Sequence, residues 1–467
     1  MDFSPSEENQ SFSLTKFESM LKTNNVFFFD SNEFENIIHH YLEIGKIALA
    51  KKAIKLGLDQ HPSSVNLKLF RVEILIFENK LSEADKLLNS LFELEPNNEE
   101  IYIQKANIHS KRDQHDKAIE VFKKALEFSK DSSEIQSLIG MEYLFLDNYT
   151  DAKLHFMKCI ELNIEDYSSL YNIIYCFEFL DQAQDAIDYL VWYIDQNPYC
   201  EVAWHQLGKQ YLQTKSIEKA LTAFDFAIIS DDTFIGAYLE KAKVLEQLSR
   251  FDEAIEHYNI AMVLEGPNAF TYLKIGSCYQ QLGQKDKCLK FFFKAVKEDP
   301  AFDKGWIKIA RFYFSNKDDL KALFYVNKAI DIEDENTSYW LFYSNINRRL
   351  NYLEESERGF KKTLELGEVS LNTWISRGDI LIELGELEAA KYNFIQAMEH
   401  HPENEELEFR ISGICFKLND QKAGFAHLLS ALHINSEHVF IIEELFPEIY
   451  KLHKVVQFIE NYKNPSN

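Results

Sequence analysis

The chain has 467 residues and a formal net charge of −25; 46% of its residues are hydrophobic and 14% aromatic, with only 15 glycines and 9 prolines. Such an apolar composition excludes a disordered chain, and the scarcity of glycine and proline favours helices over a β-sandwich or barrel. The negative charge repels phosphate backbones and anionic lipids, so nucleic acids and membrane surfaces are disfavoured as partners.

The N-terminal residues 1–30 are predicted to be a disordered segment followed by a capping helix. Residues 1–12 are polar and acidic and lack the basic and apolar regions of a secretory signal. Thr15 and Glu18 have the spacing of a capping box, which predicts a short helix ending near Lys22. The apolar run 26–29 is too short to span a bilayer and is predicted to cover the first element that follows.

A motif with fixed spacing then recurs through residues 31–438. Its clearest copy consists of Trp204, Leu207, Gly208, Tyr211, Ala220 and Phe224. With Trp204 as position 4, a 34-residue step runs without insertion or deletion and gives twelve repeats, which start at Ser31, Val65, Glu99, Ser133, Tyr167, Glu201, Ile235, Ala269, Asp303, Thr337, Leu371 and Glu405. This regularity predicts an array of identical supersecondary units.

Four positions of the repeat carry structural information. Position 20 is small in all twelve repeats and position 24 is large and apolar in all twelve, which indicates close contact of two helices. Position 15 is Gly, Asn or Asp in nine repeats, as expected where one helix ends in the left-handed conformation. Proline at position 32 of five repeats separates successive units. Each unit is therefore predicted to be a helix, a tight turn and a second helix.

The motif resembles the tetratricopeptide repeat family. The resemblance implies an all-α fold, a right-handed superhelical solenoid of about twelve helix-turn-helix hairpins with a cap at each end. Residues 439–467 are assigned to degenerate C-terminal capping helices, because Pro447 breaks the first helix and Phe458 replaces the small residue. The chain is similar to bacterial cytoplasmic proteins of this family without an assigned role. Its six cysteines lack CxxC pairs, as expected of buried free thiols in a reducing cytoplasm.

No catalytic or metal-binding constellation is recognisable in the sequence. Walker, G-x-G-x-x-G and H-E-x-x-H motifs are missing, and the adjacent pairs His39-His40 and His400-His401 point to different sides of a helix. The sequence therefore predicts a protein that is not an enzyme and that holds no cofactor or metal.

By the resemblance, a partner binds in a concave groove lined by the first helix of each repeat, mainly at positions 2, 5, 6, 9, 12 and 13. In repeats four and five these positions hold Met141, Leu144, Phe145, Tyr171, Tyr175 and Phe179. In repeats six to ten they hold Lys209, Lys243, Lys274, Lys304, Lys308, Arg311, Arg348 and Arg349. We expect these cations to attract an acidic peptide and the aromatic side chains to anchor it. The alternative is that the cations neutralise acidic neighbours and the aromatic side chains belong to the repeat core.

Some family members bind the C-terminal carboxylate of chaperone tails through Lys, Asn and Arg at fixed positions of three consecutive repeats. No three consecutive repeats of this chain match that pattern, so a chaperone-tail clamp is disfavoured. The predicted function is a cytoplasmic scaffold or adaptor for a protein or peptide partner. A regulatory subunit that wraps a single catalytic partner is the alternative, while RNA recognition is disfavoured by the acidic charge and self-association stays open.

Overall fold

A helix begins at each of the twelve predicted repeat starts. The computed structural model describes residues 5–23, 27–129 and 132–463, with side chains from residue 13 onward. A helix α1, Pro5–Thr23, precedes the repeats. The first helices of the repeats are α2 (Ser31–Glu43), α4 (Val65–Phe77), α6 (Glu99–Ser110), α8 (Ser133–Phe145), α10 (Tyr167–Phe179), α12 (Glu201–Gln213), α14 (Ile235–Gln247), α16 (Ala269–Gln281), α18 (Asp303–Ser315), α20 (Thr337–Arg349), α22 (Leu371–Glu383) and α24 (Glu405–Lys417).

A second helix follows each first helix after a tight turn. The second helices are α3 (Ile47–Gln60), α5 (Leu81–Leu94), α7 (His115–Ala125), α9 (Tyr149–Leu162), α11 (Ala183–Gln196), α13 (Ile217–Ser230), α15 (Phe251–Glu265), α17 (Lys285–Glu298), α19 (Asp319–Ile332), α21 (Leu353–Glu365), α23 (Leu387–His400) and α25 (Gln421–Ile434). The part of the chain that the structure describes contains no strand. The prediction of an all-α solenoid of tandem helix hairpins is confirmed.

The turn within each hairpin depends on a left-handed residue at position 15. All twelve residues at this position have φ between 54° and 80°, including the three that are not Gly, Asn or Asp: Lys215, Ser249 and Lys317. A left-handed backbone costs such residues roughly 1–2 kcal/mol. The packing of the two helices overrides this local preference, and so the turn is kept where its usual residue is missing.

The core between the two helices of a hairpin is formed by positions 20 and 24. Every position-20 side chain is buried, and the position-24 side chains are at most 4% exposed. Glycine at position 8 makes room for the position-24 ring: a Cβ on Gly208 would lie 2.5 Å from the ring of Phe224. The Leu-Gly pair of the motif therefore reflects the close approach of an aromatic ring to the helix backbone.

The helices form two compact units, Met1–Ala237 and Tyr238–Asn467. Within each unit, the second helix of a repeat packs against its own first helix and against the first helix of the next repeat. This nearest-neighbour packing is what allows hairpins too small to fold alone to share a continuous core. No helix among the described residues is both long and apolar enough to cross a membrane.

The N-terminal segment differs from the prediction. Residues 5–12, predicted to be disordered, lie in α1, and residues 1–4 fall outside the described residues. The predicted helix start at Thr15 was wrong, because no glycine or proline interrupts the chain between Pro5 and Thr23. A capping box lies instead at the start of α2, between Asp30 and Glu33. As expected of the apolar run, Phe29 is fully buried, although Phe28 is 64% exposed.

The C-terminal segment continues the helices without the repeat pattern. A 3₁₀ helix, Ser436–Val439, is followed by α26 (Phe440–Leu445), α27 (Pro447–Tyr450) and α28 (His453–Lys463). Phe446 is fully buried and packs directly over Gly413 of α24. This ring covers the apolar side of the twelfth repeat, which has no thirteenth repeat against it.

Candidate partner-binding surfaces

An exposed aromatic cluster lies on α10 in the first unit. Tyr175 and Phe179 are four residues apart, so they share one helix face, and their ring centroids are 4.6 Å apart. The ring of Tyr149, from the start of α9, stacks on Phe179 at 4.7 Å. Tyr175 is 43% exposed and Phe179 is 57% exposed. The rings of Tyr175 and Phe179 therefore contact each other and solvent, whereas Tyr149 also packs against the repeat core.

Tyr149 was not among the predicted residues, because the groove was predicted from the first helix of each repeat alone. Tyr149 is at position 17, on the second helix of repeat four, and reaches the end of the next first helix. The usable signal was its type: an aromatic residue that begins a second helix lies close to position 13 of the following repeat.

The other predicted apolar residues of repeats four and five are also at the surface. Phe145 is 60% exposed, and its ring stacks on His115 with centroids 5.1 Å apart. Tyr171 is 44% exposed and Met141 is 38% exposed, whereas Leu144 is half-buried. The interpretation of these aromatic side chains as repeat core therefore does not apply to them.

Four of the eight predicted cations have acidic partners. Within the second unit, Lys243 pairs with Glu240 at 2.6 Å, Lys274 pairs with Glu246 at 3.2 Å, and Arg348 lies 3.9 Å from Glu383. Arg349 is held most firmly: it binds both carboxylate oxygens of Asp319, donates to the carbonyl of Phe314 at 2.7 Å and stacks on the ring of Phe314. These four side chains therefore neutralise acidic neighbours, as in the alternative interpretation of the cations.

The other four cations have no acidic partner among the residues that the structure describes. Lys304, Lys308 and Arg311 follow each other at helical spacing along one face of α18 in the second unit. Arg311 lies over the ring of Phe342 at 5.8 Å. Lys209, in the first unit, is half-buried.

Lys308 is electrostatically the least satisfied of this group. Burial lowers the pKa of its ammonium, and the nearby charges of Arg311 and Lys274 lower it further, against smaller opposite effects of Cys288 and Glu246. An anion placed beside Lys308 would favour the charged form that its present surroundings disfavour. The ammonium of Lys308 therefore lies near two other cations, Arg311 on its own helix and Lys274 on α16.

Repeats two to four present carboxylates on their first helices, among them Glu73 and Glu100. Burial is the main reason that the pKa of Glu100 is raised, and the nearby carboxylates of Glu134 and Glu99 raise it further; the hydrogen bond from Gln104, 2.7 Å long, acts in the opposite direction. The pKa of Glu73 is raised by burial and by Glu100. Acidic residues at position 2 of two consecutive repeats were the available signal.

The cysteine thiols, which could act as nucleophiles, lie inside the core. All six cysteines are free and buried, and burial raises the pKa of the Cys176 and Cys288 thiols to about 11. Such thiols are poor nucleophiles near neutral pH. Among residues 13–23, 27–129 and 132–463, the structure brings together no group of three His, Cys, Asp or Glu residues that could hold a metal ion.

Comparisons with known proteins extend these findings. Models of the tetratricopeptide repeat match residues 75–142, 133–163 and 271–302. Anaphase-promoting complex subunit 3 of Schizosaccharomyces pombe is 24% identical over 253 residues, which are 54% of this chain and 38% of that protein. A tetratricopeptide repeat-containing protein of Methanocaldococcus jannaschii is 21% identical over 356 residues, 70% of this chain and 62% of that protein. The chain thus spans about two fifths to three fifths of the length of these relatives.

A solved structure, that of the APC/C hetero-tetramer Cut9-Hcn1, is similar over 88% of this chain and 94% of the matched chain. Its sequence identity to this chain is 14% and the TM-score is 0.36.

Proposed function

We propose that this chain, which carries tandem tetratricopeptide repeats, is a non-enzymatic scaffold that binds an acidic segment of a protein partner on the first helices of its repeats. Proteins with this repeat generally mediate protein–protein interactions. The observation that carries the proposal is the row of Lys304, Lys308 and Arg311 on α18, cations without acidic partners among the described residues of a chain whose net charge is −25.

Charge complementarity is the physical reason for an acidic ligand. Unpaired cations on one helix face attract a negative segment during encounter and exclude basic ones. Lys308 is half-buried, so its interaction with a carboxylate is less screened by water and salt than that of a fully exposed lysine. The row accounts for the attraction of a partner but offers little apolar area to retain it.

The exposed rings of Tyr175 and Phe179 supply such an area in the first unit. Aromatic side chains contribute most when a partner excludes water from them, and they dominate the energetics of many interfaces. Because the two rings already contact each other, little side-chain freedom would be lost on binding. We infer that they contact an aliphatic or aromatic side chain of the partner.

A permanent subunit of a larger assembly is the second candidate. The fission yeast relative is named as a subunit of the anaphase-promoting complex, although it covers 54% of this chain at 24% identity. Such a subunit would co-purify with one partner in fixed stoichiometry, whereas a scaffold or adaptor would exchange several partners. A location in the cytoplasm, as the sequence suggests, would fit both functions.

The test is quantitative affinity purification followed by mass spectrometry, with a charge-reversed variant and a matched control. In Lys304→Glu, Lys308→Glu, Arg311→Glu, the cationic row becomes acidic. In Lys290→Glu, Lys297→Glu, Lys328→Glu, the same number of charges is reversed at exposed positions of the second helices. We expect the amount of partner recovered with the first variant to fall by about tenfold or more, and the amount recovered with the second variant to stay unchanged. Equal recovery by both variants at unchanged melting temperature would contradict the proposal.

The aromatic contribution is tested separately. Tyr175→Ala, Phe179→Ala is compared with Tyr199→Ala, which removes a ring that is 81% exposed elsewhere in the same unit. We expect the double variant to raise the dissociation constant of a purified partner by about tenfold or more and to leave unfolding almost unchanged. Unchanged affinity in the double variant would contradict the role of the two rings as an anchor, and it would not bear on the role of the cationic row.

A further inference from the structure

A groove of about 530 Å³ opens in the first unit between the second helix of repeat one and the first helix of repeat two. Its walls are α3 of repeat one and α4 of repeat two, and its lining includes positions 21, 25 and 28 of the former and 7 and 11 of the latter. None of these belongs to the first-helix positions on which the proposed scaffold function depends. The groove is therefore a different surface.

Four cations and two carboxylates line this groove. Glu78 is bound by both Lys51 and Lys80, the latter at 2.9 Å, so its charge is already matched. Asp59 is then the remaining carboxylate beside Lys55 and Arg71. Within the described part of the chain, neither Lys55 nor Arg71 has a hydrogen bond, an ion pair or a ring contact. The groove thus has an excess of two positive charges in a protein of net charge −25.

Arg71 departs from the repeat in an informative way. It occupies position 7, where seven repeats have a branched aliphatic residue: Ile37, Ile139, Ile173, Leu207, Ile275, Ile309 and Ile411. Other cations at this position make contacts within the protein, since Arg377 binds Glu357 at 2.8 Å and Lys105 lies 5.8 Å from the ring of Phe92. Arg71 lines the groove instead, with its guanidinium donors unused.

The bottom of the groove is apolar. Ile54 and Ile74 are 4% and 6% exposed, and Leu58 and Leu75 are half-buried beside them. A ligand that filled the groove would meet aliphatic carbon in the middle and cationic groups at the rim. This combination suits a peptide whose apolar side chain is flanked by carboxylates, and it suits a bare inorganic anion poorly.

We propose that this groove is a second binding site, which takes an acidic segment of a protein with one aliphatic or aromatic side chain seated on Ile54 and Ile74. The guanidinium of Arg71 binds a carboxylate of the segment through two parallel hydrogen bonds, and Lys55 binds a neighbouring one. A nucleic acid or an anionic membrane is disfavoured because the net charge of −25 repels phosphate groups.

The experiment uses the full chain and a fluorescein-labelled peptide, Glu-Asp-Glu-Phe-Asp-Glu, with a C-terminal amide so that no terminal carboxylate contributes. Binding is followed by fluorescence anisotropy at low ionic strength for the wild type, for Lys55→Glu, Arg71→Glu, for the α18 variant Lys304→Glu, Lys308→Glu, Arg311→Glu, and for the control pair Lys52→Glu, Lys68→Glu. The control pair reverses charges on α3 and α4 outside the groove lining.

We expect Lys55→Glu, Arg71→Glu to weaken peptide binding by about tenfold or more and the control pair to change it less than about twofold. A peptide with Ser in place of Phe should also bind several-fold more weakly. No detectable binding to the wild type, equal loss in both variants, or equal affinity for the Ser peptide would overturn the proposal. So would full binding by Lys55→Glu, Arg71→Glu with loss only in the α18 variant, since the peptide would then occupy the scaffold surface alone.

Discussion

Arg410 and Asp379 join two consecutive repeats through a pair of hydrogen bonds that is almost completely removed from solvent. The Nε of Arg410 donates to Oδ1 of Asp379 at 2.8 Å, and an Nη donates to Oδ2 at 3.2 Å. The two side chains are 10% and 12% exposed. Arg410 occupies position 6 of its repeat, the same position as Lys308. At this position Arg410 joins two consecutive repeats, whereas Lys308 has no acidic partner among the described residues.

Removal of the arginine should destabilise the C-terminal repeats. Arg410→Ala leaves the carboxylate of Asp379 buried without its partner, which costs about 3–5 kcal/mol. Because repeats unfold locally, the effect should concentrate in α22 and α24, and amide hydrogen exchange by mass spectrometry would measure it.

Two controls separate the buried pair from a general loss of charge. Arg311→Ala, at an exposed site, should alter exchange little. The double variant Asp379→Leu, Arg410→Met should recover much of the stability, because it removes both buried charges together. Faster exchange in the double variant than in Arg410→Ala would show that the ion pair itself is not the source of the loss.

The glycine at position 8 gives a second prediction. Alanine is the better helix former by about 1 kcal/mol, yet Gly208→Ala should destabilise the protein by roughly 1–3 kcal/mol, because its Cβ would lie 2.5 Å from the ring of Phe224. Gly140 and Gly276 face the rings of Phe156 and Phe292 in the same way.

A compensating variant tests whether the clash with the ring of Phe224 causes the loss of stability. The double variant Gly208→Ala, Phe224→Leu should lose less free energy of unfolding than the sum of the losses of the two single variants, because the smaller side chain leaves room for the methyl group. Gly236→Ala, whose Cβ would meet its nearest neighbour at 3.4 Å, should be neutral or mildly stabilising in urea unfolding. Additive effects at Gly208 and Phe224 would contradict the steric explanation.

The periodic parts of the fold could be predicted from the sequence, whereas the pairing of individual side chains could not. Positions 8, 15, 20 and 24 repeat because each hairpin meets the same neighbours, so the starts from Ser31 to Glu405 are visible in one sequence. Pairing depends on what a neighbouring repeat offers: Arg349 has Asp319 within reach, while the described residues give Lys308 no acidic partner. No 34-residue pattern encodes that difference. The start of α1 was missed because it lies outside the repeat and has no periodic support.

His155 gives a prediction about pH. Its ring is half-buried on α9, its Nδ1 lies 2.6 Å from Oε1 of Gln136, and it stacks on the ring of Tyr143. Burial is the main reason that the pKa of His155 is lowered to about 4; the charges of Lys158 and Lys123 act in the same direction, against an opposite effect of Asp151. The folded chain therefore keeps this imidazole neutral at pH values where the unfolded chain protonates it.

The sign follows from proton binding. Below about pH 6.5 the imidazole of His155 binds a proton in the unfolded state but not in the folded state. The free energy of unfolding therefore falls as the pH decreases and levels off near pH 4. The loss is at most about 3 kcal/mol, from 1.36 kcal/mol per unit of pKa difference. His155→Gln should remove this part of the decline, and His453→Gln, at an exposed site, should not. Hydrogen exchange of α8 and α9 between about pH 7 and about pH 4.5 measures it, after correction for intrinsic exchange rates. If wild type and His155→Gln lose protection equally over this range, His155 does not carry the effect.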